Sequence, residues 1–381
     1  MDKKRLMLVS EAASAGVGRY VIDIAESIDR DLFEPMVVYS PLRMDGYFQE
    51  GLKRLAEKGI EAVGVDMRRS IHPLYDFTSL VQLTGVIARM RPDIIHCNSS
   101  KAGALGRMAG RLCGVSKIIY TPHAYAFQDM FMPQILRTFY AAAERVLFPL
   151  SHVTVNVSEN ERLDALIRGV GRMEKMVVVE NGIDLGRFSG RKCPADISEI
   201  IGGKGPVIGT VSRMCSQKNP MMFLRLVNEL CRMDGMERAV FLYVGDGDLM
   251  QDIIAEARRL GVYERIAFTG FRTDIEDIIA SFDVFVSTSN YEGLPYNILE
   301  AMACRVPVVA TNVTGNNDIL SSGCGVLVGV EDAAAMALEV ARLLGDKTRA
   351  LDMTQRAYFL LKGRFSIEVM IGKIQKIYMG L

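Results

Sequence analysis

Asp283-Val-Phe-Val-Ser-Thr-Ser-Asn-Tyr-Glu-Gly-Leu-Pro-Tyr-Asn-Ile-Leu-Glu300 runs from a β-branched and aromatic stretch into a helix-like one. Residues 283–289 have the composition of a buried strand, residues 297–303 read as helix, and a glycine and a proline stand between them. Pro295 suits the first helical position, where its missing N–H costs nothing. The N–H groups of Tyr296, Asn297 and Ile298 then point out of a helix N-terminus, a setting that attracts phosphate. Glu292, just ahead of it, suits the hydroxyls of a sugar, and Glu300, two turns on, suits those of a ribose. On spacing alone the same two glutamates read equally well as solvated carboxylates of a surface helix.

Such strand-turn-helix units recur along the chain. Apolar runs stand at 6–10, 36–39, 62–65, 94–98, 117–121, 153–157 and 176–180, separated by helical patterns such as 18–28, 74–90 and 102–112. This alternation predicts parallel strands with crossover helices, hence an open doubly wound sheet. Residues 187–206 are rich in turn formers and read as a linker. A second series follows at 207–212, 240–245, 266–270, 284–289, 306–311 and 325–330, with helical patterns at 220–233 and 249–260. The expected fold class is therefore α/β, with two Rossmann-like domains, parallel sheets and a cleft between them. The boundaries read as 1–186, a linker 187–206, and 207–364, with a final segment 365–381. In such sheets ligands bind beyond the carboxyl ends of the strands, so the loops that follow each strand are the ones to read.

Bulk properties exclude several classes. The chain has 381 residues, 49% of them hydrophobic, enough for two cores, and its 45 basic and 45 acidic residues cancel. Neither half carries a bulk excess of base and no basic run is interleaved with aromatics, which argues against nucleic acid as a partner. Seven cysteines are scattered without a Cys-x-x-Cys pair. They read as buried thiols of a reducing cytoplasm, and no metal site is expected. The charged lead before Leu6 is too short for a secretory signal, and no apolar run approaches the ~20 residues that span a bilayer.

Four loops stand out. Ser14-Ala-Gly-Val-Gly-Arg19 follows the first strand and opens a helix, and Gly16 would let a phosphate approach the backbone. It lacks the third glycine of a dinucleotide fingerprint, and Tyr39-Ser40 stands where an acidic residue would hold a ribose, so NAD is disfavoured. Arg213-Met-Cys-Ser-Gln-Lys218 offers a guanidinium fork and an ammonium in one loop, a match for a diphosphate. His123, in Thr121-Pro-His-Ala124, follows the fifth strand, while His96 lies inside a strand and reads as core. Asp246-Gly-Asp248 is an Asp-x-Asp pair, read here as a helix cap ahead of Leu249 rather than a metal site.

Together these residues resemble the retaining GT-B glycosyltransferases of the large family 4, over nearly the whole chain. The resemblance rests on residues 15–19, on Asp93-Ile-Ile-His96 followed by Ser99-Ser-Lys-Ala-Gly103, and on His123 and Asn181-Gly-Ile-Asp184. It rests further on Arg213 with Lys218, Val244-Gly-Asp-Gly247, Phe268-Thr-Gly270, and above all residues 292–310, where Glu-x7-Glu precedes Ala-Met-Ala and Val-Pro-Val-Val-Ala. It implies that Arg213 and Lys218 neutralise a donor diphosphate, that Glu292 holds the donor sugar and that Glu300 holds the ribose. Gly270, Phe271 and Arg272 would flank the nucleotide base, Leu294, Tyr296 and Asn297 would line the donor site, and Gly16 would lie near the diphosphate. His123 resembles the histidine that reaches the donor sugar, and residues 365–378 resemble the last helix that crosses back to the first domain. Two departures are Ala15, in place of the first glycine of a Gly-Gly loop, and Gly293-Leu294-Pro295, where many relatives have Gly-Phe-Gly. Pro295 has no N–H to give, which shifts phosphate binding towards Tyr296 and Asn297.

The function implied is metal-independent transfer of a hexose or N-acetylhexosamine, with retention, from a nucleotide-diphosphate sugar. UDP is favoured on frequency, and no cofactor is required. The acceptor would be a saccharide or lipid-linked saccharide in surface polysaccharide assembly, at the cytoplasmic face of a membrane. Residues 101–117 and 130–150, with Lys101, Arg107, Arg111, Lys117, Arg137 and Arg145, offer a basic face for peripheral contact with anionic lipid, and read equally as helices packed on the sheet. Two other classes share the architecture: a sugar-nucleotide 2-epimerase and a non-catalytic sugar-nucleotide-binding protein.

Overall fold

A computed structural model describes residues 3–129, 132–203 and 205–380. Met130, which opened the second basic stretch, and Lys204, in the expected linker, lie outside the described residues. The chain divides into two compact units, Met1–Asn181 with Ile367–Leu381, and Gly182–Ser366.

In the first unit seven parallel strands, β1 (Lys4–Ser10), β2 (Phe33–Tyr39), β3 (Glu61–Gly64), β4 (Ile94–Asn98), β5 (Lys117–Thr121), β6 (Val153–Asn156) and β7 (Met176–Val178), stand in the order β3-β2-β1-β4-β5-β6-β7. The central strands are buried on both faces, which is why they read as continuous apolar runs rather than alternating ones. Met7, Val9, Val38, Ile95 and Ile118 pack with Leu83, Ile87, Leu105 and Ala109 from helices Pro73–Met90 and Ser100–Leu112. The last helix, Ile367–Met379, belongs to this unit and buries Met370, Ile371, Ile374 and Tyr378. Lys373 Nζ donates to Glu180 Oε2 at 2.7 Å, which ties the helix to the chain just beyond β7.

The second unit has six parallel strands, β8 (Val207–Val211), β9 (Val240–Val244), β10 (Ile266–Gly270), β11 (Val284–Ser287), β12 (Val308–Thr311) and β13 (Val326–Val328), in the order β10-β9-β8-β11-β12-β13. Residues 187–206, read as a linker, fall within this unit and carry the helix Ala195–Ile201, with Ile197 buried. In each sheet the strand order reverses beside its first strand, between β1 and β4 and between β8 and β11. Chain connections leave opposite ways at such a point, so the loops beyond those strand ends frame a crevice.

Candidate active site

In the second unit the loops that follow β8 and β11 meet at the switch point. The first of them is pinned by its neighbour. Ser212 N donates to Val244 O at 2.9 Å, Met214 N to Asp246 O at 2.7 Å, and Leu249 N to Met214 O at 3.0 Å. Only glycine permits this approach. A Cβ at Gly245 (φ 131°) would stand 2.1 Å from Ser212 O, and one at Gly247 (φ 152°) 2.6 Å from Met214 O. Val244-Gly-Asp-Gly247 is thus a clamp on the backbone of Arg213. The aspartates do not cap the next helix, Met250–Arg259, contrary to the sequence expectation. The helix starts at Met250, so the N-cap position falls on Leu249, whose aliphatic side chain offers no acceptor. Among the described residues no group of three or more His, Cys, Asp or Glu is placed to hold a metal ion.

Arg213 makes no ion pair among the described residues, and its Nε is buried without a hydrogen-bond partner. A buried donor left unmade costs about 1–3 kcal/mol, so the position favours whatever acceptor enters. Lys218 closes a single turn, Ser216–Lys218, that is stitched to the end of β11. Asn290 N donates to Gln217 O and Asn290 Nδ2 to Ser216 O, both at 2.8 Å, and Thr288 Oγ1 donates to Lys218 O at 2.9 Å. The Lys218 ammonium is thereby delivered to Glu292, with which it forms an ion pair through Oε1. Ser289 Oγ donates to the same oxygen at 2.6 Å, and Gln217 Nε2 lies 3.5 Å from Oε2. Glu292 is 5% exposed. Behind it Gly315, at φ 85°, packs so closely that a Cβ would come within 2.5 Å of Gly293 O and 3.1 Å of Glu292 Cβ.

The helix after this turn is Tyr296–Ala303, and Pro295 is its N-cap in extended conformation, one position before the first-helical place expected of it. Leu294, Tyr296 and Glu300 are buried, and Asn297 Nδ2 donates to Val211 O at 2.8 Å, joining the helix to the end of β8. Glu300 also makes its charge felt on Cys304, whose thiol is pushed up to about 12, by burial first and then by Glu300 and Glu276. At the end of β10, Gly270 sits at φ 69° with Gly245 N donating to its carbonyl at 2.8 Å, and Phe271 beyond it is exposed. Arg272 is spent internally, donating to Asp274 and to Asp196, each at 2.6 Å, so its guanidinium shapes the loop. Sequence reasoning passed over Gln217, Ser289, Asn290 and Gly315, because a linear pattern does not show which groups meet, whether three residues apart, as Ser289 and Glu292 are, or seventy-five, as Gln217 and Glu292 are.

In the first unit Gly16 opens the helix Ala15–Ser27. Ala15, the departure from a Gly-Gly loop, still takes φ 50°, and Asp45 Oδ2 accepts its N–H at 2.7 Å, so a carboxylate holds what glycine would adopt freely. His123 also has positive φ, 55°, followed by Ala124 at 76°. Its ring meets Tyr20 edge-on at 4.5 Å between centroids, and its Nε2 donates to Asn98 Oδ1 at 3.1 Å, since Asn98 Nδ2 is engaged with His96 O at 3.1 Å. Burial, and then neighbouring His96, push the His123 imidazole down to about 3, so it is neutral at physiological pH. His96 is core, as expected: it is fully buried between Thr121 Oγ1 and Tyr378 OH, each at 2.7 Å.

Of the basic residues read as a lipid-facing surface, Lys101 and Arg107 are buried, whereas Arg111 and Arg145 are exposed. Lys101 is buried against Asp76 at 2.6 Å, and Arg107 is fully buried on Glu144 at 2.9 Å. Arg111, Lys117, Arg137 and Arg145 give hydrogen bonds to the carbonyls of Leu150, Tyr378, Phe127 and Arg168. Carboxylates take up Lys101 and Arg107, while the other four cations bond neutral carbonyls and keep their charge.

Two family models match the chain, "Glycosyl transferase 4-like domain" over residues 15–182 and "Glycosyl transferases group 1" over residues 205–346. The chain belongs to the group 1 glycosyltransferases. It is 29% identical to an Escherichia coli UDP-Gal:alpha-D-GlcNAc-diphosphoundecaprenol alpha-1,3-galactosyltransferase over 82% of each chain. It is 27% identical to the putative glycosyltransferase EpsD of Bacillus subtilis, over 74% of this chain and 75% of that one. Among solved structures, Anabaena Alr3699/HepE in complex with UDP and glucose superposes with a TM-score of 0.83 at 22% identity, covering 99% of this chain and all of the other. At that identity the likeness speaks for the fold alone, which is GT-B: two Rossmann-like domains, each on a parallel sheet.

Proposed function

We propose that this glycosyltransferase moves a hexose or N-acetylhexosamine from a UDP-sugar to a saccharide or lipid-linked saccharide in surface polysaccharide synthesis, with retention and without a metal ion. The observation that carries the reading is the Lys218–Glu292 pair beside the unpartnered, buried Nε of Arg213. Cleavage of the bond between anomeric carbon and diphosphate places negative charge on the leaving group and positive charge on the sugar. Arg213 and Lys218 answer the first with fixed cations, a contribution of several kcal/mol when preorganised. Glu292, relieved of Lys218 by the diphosphate, is then free to accept from sugar hydroxyls. The acceptor oxygen attacks the anomeric carbon from the face the leaving group departs, and its proton passes to the departing phosphate oxygen. His123, neutral and donating, is assigned to the donor sugar, Glu300 to the ribose, and Gly16, Gly270, Phe271, Leu294, Tyr296 and Asn297 to the remaining donor contacts. UDP as nucleotide is supported by the Escherichia coli UDP-Gal transferase and by the UDP complex of the Anabaena protein, and a lipid-linked acceptor by the diphosphoundecaprenol acceptor of the former.

A thermal-shift panel of UDP, GDP and ADP sugars tests the donor, since a ligand held at about 100 times its Kd stabilises by about 2.7 kcal/mol. The expected result is a rise with UDP-sugars that survives EDTA. A preference for GDP or ADP, or loss of the shift in EDTA, would sink the corresponding part. Conversion of UDP-N-acetylglucosamine without acceptor would favour an epimerase instead.

Membrane contact is retained in this reading on a different surface. The helix Pro73–Met90 is apolar on two opposite faces. Ser79, Leu83, Ile87 and Met90 are buried, whereas Leu74, Phe77 and Val81 are exposed. At roughly 100° per residue the two sets lie about 180° apart, and exposed Arg68 and Arg69 precede the helix. Flotation with phosphatidylglycerol vesicles is expected, weaker on phosphatidylcholine and lost in a Leu74→Ser/Phe77→Ser variant. Equal flotation of that variant would remove this face from the proposal.

A further inference from the structure

His123 and Ala124 form a consecutive left-handed pair without glycine, at φ 55° and 76°. Such residues are strained without glycine, and the strain persists only where surrounding groups impose it. The ring of His123 is held by Asn98 and Tyr20, but ring contacts do not set the backbone. The backbone is held by Glu161.

Glu161 is fully buried in the first turn of the helix Glu159–Ile167. Its Oε1 accepts the N–H of Ala124 at 2.6 Å, and its Oε2 accepts the N–H of Val157 at 2.7 Å, with Asn156 Nδ2 at 3.5 Å. Its own N–H donates to the N-cap hydroxyl, Ser158 Oγ, at 3.1 Å. Ser158-Glu-Asn-Glu161 has the spacing of a capping box, which accounts for a glutamate at this place in the helix. It does not account for the bond to Ala124, thirty-seven residues earlier in the chain. A buried carboxylate is costly unless several donors satisfy it, and one of the donors chosen here is the amide that follows His123. The negative charge registers on Tyr125 and Tyr20, whose phenols are raised first by burial and further by Glu161.

We propose that Glu161 is the positioning residue of His123: by binding the Ala124 amide it holds the 123–124 backbone in the left-handed region and so fixes where the imidazole stands. The inference rests on the assignment of His123 to the donor sugar. Glu161→Gln keeps the shape but turns an NH2 towards one of two backbone N–H donors. Misplacement of a reacting or orienting group by about 1 Å costs up to ~100-fold, so kcat for transfer should fall about 10- to 100-fold with the donor KM nearly unchanged. Glycine adopts positive φ freely, so Ala124→Gly in the Glu161→Gln background should restore most of kcat, while Ala124→Gly alone stays near the parent.

The chain has four histidines, so imidazole NMR, with His123 assigned through His123→Asn, gives a readout independent of activity. Its resonances should shift in Glu161→Gln and return with Ala124→Gly. Parental kcat and unshifted resonances in Glu161→Gln would overturn the proposal. So would a loss that glycine fails to rescue, since that marks a purely structural glutamate. Full turnover in His123→Ala, with the resonance still shifting and returning, would instead refute the role of His123 and leave the geometric link to Glu161 standing.

Discussion

Lys218→Ala lowers kcat/KM for sugar transfer by about 100- to 1,000-fold, the range seen when one preorganised donor to a developing anion is removed. Two effects combine in this variant. The leaving diphosphate loses its ammonium, and Glu292 loses its counter-ion while remaining nearly inaccessible to water, with Ser289 and Gln217 as neutral donors. Glu292→Gln removes the sugar-facing acceptor and should cost turnover on a similar scale, while Glu300→Gln should act mainly through the KM for donor. Because Lys218 and Glu292 share one ion pair, the double variant should lose less than the product of the single losses. Circular dichroism and the thermal midpoint establish that each variant is folded. Near-normal turnover in folded Lys218→Ala or Glu292→Gln would remove the pair from the reaction.

The backbone of this molecule was legible because its central strands are buried on both faces and its edge strands still read as short apolar runs. Each of the thirteen expected apolar runs coincides with a strand, and a parallel sheet needs no finer pattern to be recognised. Loop positions followed from the strands, and with them Arg213, Lys218 and Glu292. Side-chain partnership was not legible. Asp246 and Asp248 precede a helix as capping residues do, yet the neighbouring loop takes Asp246 O as the acceptor for Met214 N, and the cap passes to Leu249. Ala15 and His123 look like ordinary residues, and their positive φ is imposed from Asp45 and Glu161, which are remote in sequence. Period and composition encode which face of an element is buried. They carry no term for a hydrogen bond between loops.

Arg107 shows the same limit with the largest energetic consequence. On a helix with Lys101, Arg111 and Lys117 nearby, it reads as part of a basic surface, whereas its side chain is fully buried. Its Nε donates to Gly103 O at 2.7 Å, its Nη2 donates to Glu144 Oε2 at 2.9 Å, and its guanidinium lies 4.0 Å from the centre of the Tyr120 ring. Tyr120 OH donates to the other oxygen of Glu144 at 2.9 Å, so each carboxylate oxygen has one of these two side chains as a donor. Arg107→Ala or Glu144→Ala should therefore destabilise the first unit by about 3–5 kcal/mol, because each leaves an uncompensated buried charge. Arg107→Met with Glu144→Leu should cost distinctly less than either, since no charge is orphaned and only the Tyr120 hydroxyl loses its acceptor. Urea unfolding followed by circular dichroism distinguishes the cases. A single variant within about 0.5 kcal/mol of the parent, the range of an exposed substitution, would mean that solvent reaches the pair. The ordering also explains why an internal ion pair is compatible with a helix that must pack on the sheet. Arg107 contributes stem and ring-stacking area to the core, and its charge is tolerable only because Glu144, on the next helix, arrives with it.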